Sequence, residues 1–244
     1  SALAAREKGL PLVNIAQPFK SSGMMLTCRK DMGVNSTDDL KGKTLGVWFY
    51  GNEYPFLSWM SRLGLATDGS ADGVTVLKQG WGVEPLTEGQ AACVSTMSYN
   101  EYWVVRDAGY SPEQLTVFKY QTEGASTLED GLYVLEKNLG DSSFKDKMVR
   151  FVRASMKGWK YAEANPKEAA SIILDNDDAG VQTEKHQVRM MGEIAKLTAG
   201  SNGALDPADY QRTVKVLMSG ASDPVITKEP SGAWTHDITN AALN

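Results

Sequence analysis

The stretch Gly46-Val47-Trp48-Phe49-Tyr50-Gly51-Asn52-Glu53-Tyr54-Pro55 decides the fold of this chain. It predicts a short apolar strand over 44–48, a glycine-bounded aromatic turn, and then an amphipathic helix that carries Phe56, Leu57, Met60 and Leu63. Asn52 is a candidate N-cap, Glu53 suits the positive N-terminus of a helix, and Pro55 is tolerated in a first turn. In an open α/β sheet, small molecules bind at such turns, outside the carboxyl ends of the strands.

The rest of the chain alternates strands with helices, which is typical of an α/β sheet. Further strands are predicted over 12–16, 24–28, 74–77, 90–97, 115–120 and 131–135. Helical spacing begins near Ser143, and later helices are predicted over 168–174, 184–197 and 207–218. Two polar stretches, 17–23 and 121–130, are candidate joints between two lobes.

Composition excludes several classes of function. The chain has 244 residues, 42% of them hydrophobic, and a net charge of −5 without any basic run. Nucleic acid and anionic membranes are therefore not expected as partners, and no apolar run has the length of a membrane span. The chain opens at Ser1 directly on a helix-like segment, which is expected of a mature or truncated product.

Cysteine and histidine give little sign of chemistry. Cys28 and Cys93 lie in apolar strand-like runs, where buried free thiols are favoured over a disulfide. His186 and His236 lack ligand spacing, so neither a metal site nor a Ser-His-Asp triad is expected. We predict no catalytic residue, no metal and no cofactor.

Two predicted strands end with similar chemistry: an aromatic ring, then an amide, then a carboxylate at a helix start. The candidate ligand-binding residues are Trp48, Tyr50, Asn52 and Glu53 after the first strand, and Tyr99, Asn100 and Glu101 after the second. If the two strands are parallel, both turns lie at one edge of the sheet and can face one cleft. Aromatic faces beside amides and carboxylates suit a flat, nitrogen-rich ligand better than an anion.

Each of these residues also has a purely structural interpretation. Glu53 and Glu101 both occupy positions where a first-turn carboxylate simply completes a helix cap. Trp81, between two glycines, is either a stacking residue at the cleft edge or a core residue. Glu123, Glu129 and Asp130 are better explained as solvated charges of a joint than as cleft residues.

Three stretches resemble bacterial ABC-transporter substrate-binding proteins: 2–9 (ALAAREKG), 36–48 (STDDLKGKTLGVW) and 99–101 (YNE). The branch they resemble contains formylaminopyrimidine-, riboflavin- and sulfonate-binding members and is related to the yeast thiamine-pyrimidine synthase. The resemblance implies a two-lobe periplasmic-binding-protein (type II) α/β fold that closes on a small solute. It implies lobe I at 1–23 and 125–244, and lobe II at 24–124. The N-terminal strand–helix units of the family are absent, so lobe I is expected to be incomplete.

The resemblance also implies a function. It predicts a monomeric periplasmic or lipid-anchored protein that delivers a small molecule to an ABC-transporter permease. In the pyrimidine-binding members the Tyr-Asn-Glu turn meets the ring and its amine, and Tyr99 and Glu101 match those positions. The expected ligand is a flat nitrogen heterocycle of the thiamine-pyrimidine-precursor type. The alternatives are a sulfonate- or riboflavin-binding relative, or an enzyme related to the synthase.

Overall fold

The computed structural model describes residues 1–219 and 224–243. Its strands are β1 (Leu12–Ala16), β2 (Met24–Arg29), β3 (Thr44–Val47), β4 (Thr75–Lys78), β5 (Cys93–Met97), β6 (Leu115–Lys119) and β7 (Leu132–Leu135). Its helices are α1 (Ala2–Glu7), α2 (Glu53–Arg62), α3 (Glu84–Thr87), α4 (Glu101–Asp107), α5 (Ser142–Ala164), α6 (Pro166–Asp175), α7 (Glu184–Thr198), α8 (Pro207–Met218) and α9 (Asp237–Leu243).

The chain divides into two compact units. The first contains Ser1, Gly23–Thr127 and the described residues of 215–227. The second contains Ala2–Ser22, Leu128–Val214 and the described residues of 228–244.

A five-stranded sheet in the order β4-β3-β5-β2-β6 forms the centre of the first unit. Strand β3 pairs in parallel with β4 on one side and with β5 on the other. Strand β2 is antiparallel to both of its neighbours, β5 and β6. The carboxyl ends of β3, β4 and β5 therefore lie at one edge of the sheet, as the prediction of a shared cleft required.

Both faces of this sheet are covered. Phe56, Trp59 and Met60 of α2 are buried on one face, where the Trp59 ring lies 5.5 Å from the ring of Tyr120. On the other face, Val94 of β5 packs in a separate cluster with Val105 of α4. Apolar side chains alternate between the two faces along the strands, so burial fixes the register of the sheet.

The expectation of free thiols is wrong, because Cys28 and Cys93 form a disulfide. The two residues are direct cross-strand partners in the antiparallel pair of β2 and β5, and both are fully buried. The sequence shows that each cysteine lies in a strand, but not that β2 pairs with β5. The pairing depends on that register.

The second unit contains a two-stranded antiparallel sheet of β1 and β7 and most of the long helices. Ile15 of β1 and Val134 of β7 pack with Val152 and Met156 of α5 and with Ile238 of α9. Helix α9 was not predicted, because its seven residues include only two large apolar side chains, Ile238 and Leu243. Among the residues described, no helix combines the length and apolar character that a bilayer crossing requires.

Candidate functional site

A cleft of about 460 Å³ opens at the carboxyl edge of the sheet in the first unit. Four of its ten lining residues are aromatic and two are charged. We call it the aromatic cleft; it is lined by Trp48, Phe49, Tyr50, Asn52, Lys78, Gln79, Gly80, Trp81, Met97 and Glu101. The position agrees with the general rule for ligand sites in open α/β sheets.

A buried glutamine joins the strand ends beneath the aromatic cleft. Gln79 donates from Nε2 to the Ser95 carbonyl at 2.9 Å and accepts from the Ser95 N–H at 2.8 Å. Gly46 leaves room for this arrangement, because a Cβ there would lie 2.9 Å from Val94 Cγ1 and 3.2 Å from Gln79 Oε1. The floor of the cleft is thereby held by buried, hydrogen-bonded groups.

Two tryptophans belong to the walls of the cleft. Trp48 follows β3 directly, and its Nε1 donates to the Gly80 carbonyl at 2.9 Å, which ties two strand ends together. Trp81 is 96% exposed, so it lies at the cleft edge and is not a core residue. The sequence left both interpretations of Trp81 open.

Tyr50 has an unusual backbone. Its φ is +65°, a left-handed conformation that costs energy for any residue with a Cβ, and its side chain is 88% exposed. Its ring lies 4.8 Å from the Lys78 ammonium, whose Nζ also donates to the Tyr50 hydroxyl at 3.3 Å. Strained, exposed aromatic residues of this kind are typical of functional sites.

The first turn of α2 is not capped as predicted. The Asn52 side chain makes no cap hydrogen bond to the helix; it donates to the Phe49 carbonyl at 3.4 Å. Glu53 Oε2 accepts from the Gly51 N–H at 2.7 Å instead, so this carboxylate has the local, structural role that the sequence offered as the alternative. Asn52 lines the aromatic cleft, whereas Glu53 does not.

Glu101 is the acidic residue of the cleft. Its Oε2 accepts from the Met97 N–H at 2.9 Å, and its Oε1 accepts from Asn100 Nδ2 at 2.7 Å. Burial raises the pKa of the Glu101 carboxyl, although both hydrogen bonds act in the opposite direction. The carboxylate is thus held in place, and with three donors, including its own N–H, on about four lone-pair sites it can still accept from a ligand.

The structure brings together four of the seven predicted binding residues: Trp48, Tyr50, Asn52 and Glu101 line one cleft. Tyr99 and Asn100 are partly buried in the turn before α4 and do not line the cleft. Glu53, at the start of α2, does not line it either. The sequence analysis missed Lys78 and Gln79. Lys78 ends β4 and Gln79 follows it, but the parallel pairing of β4 with β3, which brings both to the cleft, is seen only in the sheet.

The aromatic cleft suits binding of a flat solute. Across residues 1–219 and 224–243, no group of three or more His, Cys, Asp or Glu side chains comes together as a metal site would require. What the cleft offers is aromatic surface, one carboxylate and one ammonium.

The sequence matches a known family over most of its length. The model described as NMT1/THI5-like covers residues 1–169 of the 244. The chain belongs to the NMT1/THI5-like family. The predicted family is confirmed by this match.

Similar proteins agree with that membership. The chain is 23% identical over 242 residues to a formylaminopyrimidine-binding protein of Halalkalibacterium halodurans, which covers 96% of this chain and 71% of the relative. A putative periplasmic sulfonate-binding protein, SsuA of Methylobacillus flagellatus, superposes with a TM-score of 0.64 at 14% identity over 98% of this chain and 71% of that one. The predicted α/β periplasmic-binding-protein fold is confirmed.

The same fold also occurs in an enzyme. The desulfurization enzyme DSZB superposes with a TM-score of 0.62 at 15% identity over 96% of this chain and 79% of that one. At such identity the likeness concerns the fold alone, and function has to be argued from the site.

Proposed function

We propose that this chain is the solute-binding component of an ABC importer and that it captures a small, flat nitrogen heterocycle of the thiamine-pyrimidine-precursor type. The observation that carries the proposal is the aromatic cleft, where Trp48, Trp81 and the partly buried carboxylate of Glu101 line one space. The formylaminopyrimidine-binding relative supports this class of ligand.

The binding energy would come from two sources. A ring held against the tryptophan faces gains burial and about 0.5–1.5 kcal/mol from stacking geometry. An amine that donates to Glu101 adds a charge-assisted hydrogen bond of about 1.5–3 kcal/mol. After the cost of association, these terms are sufficient for micromolar affinity.

We further propose that the lobes are residues 1–23 with 125–244 and residues 24–124, and that they close on the ligand without making bonds. The partner would be an ABC-transporter permease, and the protein would act as a monomer in the periplasm or on a lipid anchor. The disulfide of Cys28 and Cys93 supports an oxidising compartment outside the cytoplasm. Tyr99, Asn100 and Glu53 remain in this proposal as residues that shape the turns around the cleft.

The test is capture of an aminopyrimidine by the purified protein. Native mass spectrometry should show a one-to-one complex, and the melting temperature should rise with the concentration of 2-aminopyrimidine. Trp81→Ala should lower the affinity about threefold to tenfold, since it removes one stacking face. Tyr161→Ala serves as a control, because Tyr161 is an exposed ring on α5 outside the cleft. An equal loss in both variants, or no binding of any heterocycle, would refute the proposal.

A further inference from the structure

The aromatic cleft contains a cation that the proposed function does not use. Lys78 ends β4 and lines the cleft, but no carboxylate pairs with it in the part of the chain that the structure describes. Two aromatic rings lie near it: the ammonium is 5.6 Å from the Phe49 ring centroid and 4.8 Å from that of Tyr50.

The two aromatic rings position this ammonium. Cation–π contacts with Phe49 and Tyr50, and the bond to the Tyr50 hydroxyl, restrict a side chain that is otherwise flexible. The strained φ of +65° at Tyr50 contributes to this contact, since it fixes where the phenol leaves the backbone. A rotamer-rich side chain restrained in this way loses less entropy when it binds a ligand.

Sheet order places Lys78 and Glu101 on opposite sides of Trp48. Strand β3, which Trp48 follows, lies between β4, which ends in Lys78, and β5, which leads to Glu101. Two strand spacings, about 10 Å, therefore separate the backbone positions of β4 and β5. A ring lying over Trp48 would have an ammonium at one end and a carboxylate at the other.

We propose that Lys78 binds an anionic oxygen substituent on the ligand, at the end of the ring opposite the amine that Glu101 binds. The ligand class is then an amino-substituted heterocyclic acid, with a carboxylate, sulfonate or phosphate on the side of Lys78. This inference rests on the proposed function, which it makes more specific. It also changes the sequence-based argument against anions, which considered Glu53 and Glu101 but not Lys78.

Three probes separate the contributions of ring, carbonyl and charge. They are 2-aminopyrimidine, its 5-carboxamide and its 5-carboxylate, in which the substituent lies opposite the amine. Calorimetry on the wild-type chain should give at least tenfold tighter binding of the carboxylate than of 2-aminopyrimidine. The advantage should shrink severalfold between 50 and 500 mM salt, because screening weakens the attraction between the charges. If the carboxamide binds as tightly as the carboxylate, the proposal that Lys78 binds an anion is refuted, and the carbonyl oxygen that both probes share explains the gain in affinity.

Variants of Lys78 test the residue itself. Lys78→Met keeps much of the apolar stem and should lower the affinity for the carboxylate tenfold or more, but that for 2-aminopyrimidine by less than threefold. Lys78→Arg should retain most of the carboxylate advantage. Lys119→Met, on β6 at the opposite edge of the sheet, is the matched control and should behave as wild type.

The failures are distinguishable. If 2-aminopyrimidine binds but the carboxylate has no advantage, or if Lys78→Met keeps that advantage, the role of Lys78 is refuted and the proposed function survives. If no probe binds to the wild-type chain, the proposed function and the inference fall together.

Discussion

Glu101 is the residue whose chemistry most directly tests the site. Glu101→Gln replaces a charge-assisted hydrogen bond with a neutral one, so it should weaken binding of 2-aminopyrimidine by about 1.5 kcal/mol or more. Calorimetry measures this loss, and Glu88→Gln, an exposed acid outside the cleft, is the control. Unchanged affinity in Glu101→Gln would show that Glu101 does not contact the ligand.

The same residue predicts a pH dependence. Burial raises the pKa of the Glu101 carboxyl, so it takes up a proton in the folded protein at a higher pH than in the unfolded chain. The affinity for an amine should therefore fall as pH decreases through that raised pKa. Relative to Glu101→Gln, the free energy of unfolding without ligand should rise over the same range, because protonation relieves the buried charge. If affinity and free energy of unfolding change with pH equally in the wild type and in Glu101→Gln, the pH dependence does not come from Glu101.

Substitutions of Tyr50 distinguish the cost of its backbone conformation to stability from the contribution of its ring to binding. Its φ of +65° is strained for tyrosine and for alanine but not for glycine, and its side chain buries little area. Tyr50→Gly should unfold with a free energy about 1 kcal/mol higher than Tyr50→Ala in urea titrations. Both variants should lose ligand affinity equally, since both lack the ring. Equal stabilities would show that the turn relaxes and stores no strain.

At the level of elements, the disulfide joins two strands of the central sheet. Cys28 and Cys93 are 65 residues apart in sequence, so their bond closes a long loop and lowers the conformational entropy of the unfolded chain. Replacing both with alanine should lower the free energy of unfolding by about 2–4 kcal/mol. A reductant should destabilise the wild-type chain in urea titrations but leave the double variant unchanged. A reductant without effect on the wild-type transition would contradict the stabilising role.

Secondary structure was predictable where one periodicity dominates. Strand β3 and helix α2 lie within one residue of their predicted bounds, because apolar spacing and burial agree there. The insertion of antiparallel β2 between β5 and β6 was not predictable, since strand order depends on contacts distant in sequence. The cysteine pairing depended on that order, and the approach of Lys78 to the aromatic turn depended on the pairing of β4 with β3.

The candidate site was predictable only in part, and for the same reason. Trp48 and Glu101 follow strands that look alike in sequence, so their convergence needed only the assumption of parallel pairing. Lys78 ends β4 and looks like an ordinary solvated lysine until the sheet places it beside Phe49 and Tyr50. Conversely, the role of Glu53 is local: its carboxylate accepts a hydrogen bond from a backbone group two residues away.

For the whole molecule, the question is whether a fold that also serves an enzyme acts here as a carrier. The aromatic cleft has groups that bind, and the proposed mechanism needs no bond to be made or broken. The formylaminopyrimidine-binding relative supports the carrier, whereas the likeness to DSZB shows only that the fold permits chemistry.

The two functions differ in the fate of the ligand. A carrier at equilibrium should raise its melting temperature by an amount that grows with the logarithm of ligand concentration above Kd, and it should release the ligand chemically unchanged. We therefore expect mass spectrometry to recover all added aminopyrimidine intact after prolonged incubation, with or without added iron. Trp81→Ala, which weakens capture, should reduce the thermal shift without altering that recovery. A product that accumulates beyond one equivalent of protein would establish turnover. The proposal that the protein is a carrier would then be refuted, even if the aromatic cleft binds the ligand through the residues described.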